Sequence, residues 1–104
     1  MAEWSDLFEY TEEKVKKLTP TSAGVYRLCY KKDEKYYVYY IGQSDNLERR
    51  LLEHLSSAEE NDCIKRYKKD SICYMRWVTI STQTERDKIE EEQISKYTPI
   101  CNSN

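Results

Sequence analysis

One hundred and four residues, 38 % hydrophobic and 35 % charged, suffice for one domain with a modest core and argue against two. No apolar run approaches the roughly 18–20 residues of a membrane span, and the opening MAEWSDLFEYTEEK has acids where a secretory signal would carry bases and then an apolar stretch, so a soluble, cytoplasmic chain is expected. The formal charge of −2 gives no overall basic signal; residues 1–20 hold five acids and three bases, leaving 14 of each afterwards.

In chain order, residues 3–18 space Trp4, Leu7, Phe8, Val15 and Leu18 by three, four and seven, which predicts an amphipathic helix ended by Thr19-Pro20-Thr21-Ser22. GVYRLCYKK and YYVYYIG, β-branched and aromatic runs flanking polar residues 31–35, read as an antiparallel hairpin with Tyr26, Leu28 and Tyr30 on one face. After Gly42, Asp45 is the expected N-cap of a helix, with Glu48 at capping-box spacing and a stripe of Leu47, Leu51 and Leu55. Residues 58–68 predict a short helix, 71–80 a third strand and 84–97 a last helix closed by Pro99. The expected architecture is α+β: a small three-stranded antiparallel sheet flanked by helices, with an extra N-terminal helix, in one domain over 1–104 whose core spans about 22–102.

The four cysteines stand far apart with no C-x-x-C pair and a single histidine in the chain, which speaks against a zinc cluster and for free thiols. Basic clusters at Lys31-Lys32, Arg49-Arg50 and 65–69 read either as phosphate contacts or as a solvated surface. Ten tyrosines against one phenylalanine raise the question of why so many hydroxyls stand where a phenyl ring would fill space equally well.

Two local inconsistencies point to chemistry. At about 100° per residue the last helix cannot keep Glu90, Glu91 and Glu92 on one side, and Glu90 falls inside the stripe of Ile89, Gln93, Ile94 and Tyr97. A carboxylate there is costly unless paired or bound to a cation, so Glu90 is either a ligand or catalytic group or a stripe-edge residue reaching solvent. Arg50 and His54, four apart, share a helix face, which suits a phosphate site or a polar surface.

Together these residues resemble the GIY-YIG nuclease family. Gly24-Val25-Tyr26 resembles its first motif and Tyr40-Ile41-Gly42 its second; Arg50 lies ten residues after Tyr40, and His54 stands one turn on, where members carry His or Tyr. Glu90 resembles the family's metal-binding glutamate, and EEEQISKYTPICN its ending, with Asn102 twelve residues on. Gln43 departs from the pattern, standing where many members have Lys, and the thirteen residues between Tyr26 and Tyr40 imply an extended hairpin turn.

The resemblance implies a divalent-metal-dependent endonuclease acting on DNA, with Glu90 holding one Mg²⁺ or Mn²⁺, Arg50 neutralising the scissile phosphate, Tyr26 activating water and His54 accepting its proton. Tyr40 would position the water or phosphate, Asn102 would brace the glutamate loop, and Gly42 and Gln43 would support the site. Tyr30, Tyr36, Tyr37 and Tyr39 are expected to pack on strands with hydroxyls at the surface. Rival expectations are a non-catalytic nucleic-acid-binding module, and a protein-interaction domain docking through its acidic N-terminal helix. With no room for a separate binding domain, specificity would come from the nuclease surface, a dimer or a targeting partner.

Overall fold

Two residues with positive φ, Asp33 (53°) and Glu34 (69°), close the hairpin on which the molecule is built. Two successive left-handed residues give a turn whose twist matches that of the flanking strands. It joins two neighbouring antiparallel strands, Gly24–Lys32 and Lys35–Ser44. The extended turn anticipated from the sequence is therefore replaced by a two-residue turn, and the surplus is absorbed inside the ladder. Leu28 pairs with Tyr40 whereas Cys29 pairs with Val38, so Tyr39 bulges out of register. A bulge reverses side-chain alternation. It lets Tyr39 and Tyr40 both face the core side that Tyr26 faces, while Val38 and Ile41 face the other.

The computed structural model describes residues 3–102; positions 1, 2, 103 and 104 of the expected domain lie outside them. In chain order the elements are β1 (Phe8–Glu9), α1 (Glu12–Leu18), β2 (Gly24–Lys32), β3 (Lys35–Ser44), α2 (Leu47–Leu55), α3 (Asp62–Asp70), β4 (Cys73–Thr79), α4 (Gln83–Tyr97) and a 3-10 turn, Ile100–Asn102. The sheet is antiparallel with order β1-β4-β2-β3, four strands instead of three.

The extra strand comes from the segment expected to be helical. Phe8 pairs with Met75, Ser5 N–H donates to Trp77 O at 2.7 Å and Tyr10 N–H to Cys73 O at 2.8 Å. These bonds cover the outer edge of β4, whose backbone groups need partners more than the weak helical spacing of residues 3–10 needs satisfying. Helix α1 starts only where Thr11 caps it, its hydroxyl accepting from Lys14 N–H at 3.2 Å.

Each face of the sheet carries its own core. On one, Leu47 and Leu51 of α2 and Ile64 of α3 cover Tyr26, Leu28, Tyr39 and Met75; on the other, Ile89, Ile94 and Tyr97 of α4 cover Val25, Ile41, Val78 and Ile80. Tyr39 is fully buried, against the expected surface hydroxyl, because the bulge turns it inward. Cys63 of α3 and Cys101 of the 3-10 turn form a disulfide, Cα–Cα 5.4 Å, leaving Cys29 and Cys73 free and buried; the expectation of four free thiols is corrected. Their separation of 38 residues hides this proximity from any local motif. Among the described residues no helix is long and apolar enough to cross a membrane.

Candidate active site

The site is organised by a missing Cβ. Tyr26 of β2 and Gly42 of β3 are directly paired, and a Cβ on Gly42 would lie 2.4 Å from the Tyr26 hydroxyl oxygen. Glycine at 42 is thus what allows a tyrosine ring to lie across the strand pair. The ring is buried, and its hydroxyl points under the sheet towards α2. Tyr40 stands beside it, ring centroids 6.2 Å apart, and both rings approach the imidazole of His54, at 5.7 and 5.4 Å.

Helix α2 delivers His54. Its N-cap is Asn46, whose side chain accepts from Arg49 N–H at 3.0 Å; Asp45, the expected cap, instead pairs with the Arg49 guanidinium at 2.6 Å. Asparagine one residue later leaves Asp45 free to reach the helix side, so the anticipated capping box with Glu48 does not form. Leu47 and Leu51 anchor the helix in the core, and His54 follows the same stripe inward to 1 % exposure, Leu55 being only partly buried. The Tyr26 hydroxyl lies 2.7 Å from His54 Nε2.

On its other side, His54 Nδ1 lies 2.5 Å from Glu59 Oε2. Glu59, in the loop before α3, is buried, and its second oxygen accepts from Asn61 N–H at 2.9 Å. Sequence reasoning missed this residue; the only available signal was an acid five positions after the single histidine. Lys68, part of the expected basic surface cluster, donates to the His54 backbone carbonyl.

Burial shapes the protonation of this group. It pushes the Tyr26 phenol well above its ordinary range, with Tyr40 adding and Arg50 opposing. It also raises Tyr40, against Arg50. It lowers His54, helped by the Arg50 charge and opposed by Glu59. Burial works against the Glu59 carboxylate, but the Asn61 N–H, His54 and Arg50 together hold it below the usual carboxyl range.

Arg50 stands at the mouth, side chain 38 % exposed, with Nη1 3.2 Å from Glu53 Oε1. Arg49 points away, bound to Asp45 and near Glu53. Across the sheet edge, Glu90 of α4 is half-buried, as are Ile89, Gln93, Ile94 and Tyr97 of its stripe, while Glu91 and Glu92 are exposed. Helix α4 lies mainly along the edge strand β3. Gln43 Nε2 donates to Glu90 Oε1 at 3.0 Å and to Asp87 Oδ1 at 2.8 Å, while Gln83 holds the Gln43 carbonyl at 2.7 Å.

Asn102 clamps β3, not the glutamate loop. Its side chain accepts from Ile41 N–H and donates to Ile41 O, both at 2.8 Å, satisfying the outward backbone groups of an edge strand within the second motif. Tyr26, Tyr40, Arg50 and His54 thus gather on one face of the sheet, while Gln43, Glu90 and Asn102 sit along the neighbouring edge of β3.

An α+β domain with paired phenols over a buried imidazole, an arginine at the rim and an acidic helix at the sheet edge brings together groups chemically able to act on a phosphodiester. A sequence model of the GIY-YIG catalytic domain matches residues 22–103, and the chain belongs to that family. Solved structures agree. The GIY-YIG N-terminal endonuclease domain of UvrC from Thermotoga maritima, as a tyrosine-to-phenylalanine point mutant bound to its catalytic divalent cation, superposes with a TM-score of 0.67 at 26 % identity, covering 90 % of this chain and 100 % of that one. The same domain bound to magnesium gives 0.65 at 26 % identity over 88 % and 98 %. An asparagine-to-alanine point mutant of it gives 0.62 at 25 % over 88 % and 97 %. A comparison with curated proteins finds no match. Family and structural match together support a nuclease, that is hydrolase, activity.

Proposed function

We propose that this chain, as a single catalytic domain, is an endonuclease hydrolysing DNA phosphodiester bonds with one Mg²⁺ or Mn²⁺ held by Glu90. The observation that carries the reading is the Tyr26 hydroxyl hydrogen-bonded to a buried imidazole, beside Tyr40 and below Arg50. A buried phenol ordinarily takes an acceptor, as Tyr10 does in Leu51 O, but the acceptor of Tyr26 is an imidazole nitrogen, a base that can take the proton outright.

Glu90 fits a hard cation: it is a partly accessible carboxylate whose hydrogen-bond partner is a displaceable amide. Among the described residues no group of three or more His, Cys, Asp or Glu could hold a metal, so the ion's other ligands would be water and phosphate oxygen, which suits magnesium. Such an ion supplies charge stabilisation to the pentacovalent phosphorus and the leaving 3′ oxygen. The protein's own groups do the rest. Tyr26 takes a proton from water while passing its own to His54 Nε2. A free phenolate is disfavoured by burial, so the two transfers must be coupled. Tyr40 orients the water or phosphate, and Arg50 offers its planar fork to developing phosphate charge. Asn102 fixes the peptide of Ile41 between Tyr40 and Gly42, and so the rim of the site.

Balanced surface charge implies weak non-specific DNA affinity, so a preferred DNA structure, a partner or a dimer would supply selectivity. The test is incubation with plasmid, branched and single-stranded DNA in Mg²⁺, Mn²⁺ and chelator. Metal-dependent cleavage of at least one substrate is expected; binding without cleavage under every metal would favour the binding-module reading.

A further inference from the structure

Glu59 lies outside the residues that the family motifs single out, yet it touches the centre of the site. On the nuclease reading above, we propose that Glu59 is a positioning residue that holds His54 in its Nδ1–H tautomer, so that Nε2 is free to receive the Tyr26 proton.

The proton inventory follows from the two contacts of the imidazole. An ionised carboxylate only accepts, so the hydrogen between Nδ1 and Glu59 Oε2, 2.5 Å apart, belongs to the ring nitrogen. A neutral imidazole has one N–H, which leaves Nε2 as acceptor, and the 2.7 Å contact to Tyr26 is then O–H donating to nitrogen. With the opposite tautomer the Glu59 contact fails, because Nδ1 would face a carboxylate with no hydrogen between them, and Nε2–H would donate to the Tyr26 oxygen and leave no acceptor for the phenol proton. Glu59 does not depend on His54 for its own placement, because its other oxygen is tied to Asn61 N–H at 2.9 Å, at the N-cap of α3. The carboxylate is therefore a fixed reference for the ring.

During turnover, the attacking water loses one proton to Tyr26 Oη as its oxygen bonds phosphorus, Tyr26 gives its proton to His54 Nε2, and the phosphorus–3′ oxygen bond breaks. The leaving oxygen takes a proton from solvent, and after product release the imidazolium returns its proton through Tyr26 to solvent water. While it exists, that imidazolium is buried, and Glu59 is the carboxylate in contact with it. A base oriented and charge-balanced by a third group is the general logic of nucleophile–base–carboxylate sites. A purely structural reading, in which Glu59 only ties the loop to α2, explains the Asn61 bond but is indifferent to the tautomer.

Glu59→Gln separates the two. Glutamine keeps an oxygen for Asn61 N–H but can turn its NH₂ towards Nδ1, favouring the wrong tautomer. In the wild-type protein, ¹⁵N-resolved imidazole NMR is expected to show Nδ1 protonated and Nε2 bare near neutral pH, and Glu59→Gln is expected to shift the ring towards Nε2–H. In steady-state DNA cleavage with Mg²⁺ the variant should lose about 10²-fold or more in kcat with KM little changed and circular dichroism unaltered. Wild-type His54 found as Nε2–H overturns the proposal whether or not the variant folds. So does a folded Glu59→Gln protein that cleaves at the wild-type rate. Wild-type protein that never cleaves with any divalent metal defeats the nuclease reading, and the relay's catalytic purpose with it, even where the tautomer is as described.

Discussion

Tyr26 and Gly42 occupy one cross-strand pair position, and the glycine's missing side chain is the space in which the tyrosine hydroxyl reaches His54. Gly42→Ala forces either the ring or β3 to move. Overpacking of this kind costs about 1–3 kcal/mol. Urea denaturation should register that loss, and cleavage should fall with it, because the Tyr26–His54 contact is broken. An alanine variant as stable and active as the wild type would contradict the close approach.

Tyr26→Phe keeps the ring and removes the oxygen. It leaves His54 Nε2 buried without its donor, a loss of about 1–2 kcal/mol, and should lower cleavage by about 10²–10⁴-fold. Tyr37→Phe is the control: its ring is 42 % exposed and stacked on Tyr30, so stability should change by no more than about 0.5 kcal/mol and cleavage not at all.

Much of this was legible from the sequence, and the parts that were not share a cause. The strand runs, the helix after Gly42 and the shared face of Arg50 and His54 follow from periodicity and spacing, because each depends on its own segment; the meeting of that pair with Tyr26 and Tyr40 was implied by the family resemblance. What was missed depends on a neighbour in space. Residues 8–9 form a strand because β4 offers an open edge, Tyr39 turns inward because of a bulge in its pairing with β2, and Cys63 meets Cys101 across 38 residues. Glu59 belongs to the same group: it lies in a loop without periodicity, and only the packing of that loop against α2 gives it meaning.

Acid should destabilise the fold through His54. Its environment comprises Tyr26 from β2, Tyr40 from β3, Arg50 on its own helix, Glu59 from the loop and Lys68 from α3. Since the folded pKa lies below the unfolded one, the contribution is fully present above the ordinary value of about 6.5 and is lost as pH falls through the folded value. Glu59, whose carboxyl is also lowered, adds loss in the same direction at lower pH. Unfolding free energy should therefore fall between pH 7 and 5 in the wild type and less steeply in His54→Gln, with cleavage showing an acid limb below 6.5. Stability that is flat or rising towards pH 5 would be inconsistent with a neutral, buried imidazole.

The disulfide makes a separate prediction. Unfolded without reductant, the protein should expose two reactive thiols, Cys29 and Cys73; after reduction it should expose four. Closing a loop of this length stabilises by about 2–4 kcal/mol, so reductant or Cys63→Ser should lower the denaturation midpoint accordingly. Four thiols before reduction would remove the link.

Arg50 and Arg49 separate catalysis from binding. Arg50→Ala should reduce turnover by orders of magnitude with only modest loss of DNA affinity, as expected for one phosphate contact, and Arg50→Lys should restore part of it. Arg49→Ala, bound up with Asp45 on the outer side of α2, should leave turnover nearly unchanged. Parallel loss of affinity and turnover in Arg50→Ala would assign it to binding.

The most direct test of metal-dependent hydrolysis at this site is nicking of supercoiled plasmid across a Mg²⁺ titration by wild type, Glu90→Ala and Glu91→Ala. Saturating, chelator-sensitive nicking is predicted for wild type and Glu91→Ala, with none for a folded Glu90→Ala. Equal nicking by Glu90→Ala and Glu91→Ala, or none by the wild type in Mg²⁺ or Mn²⁺, would contradict it.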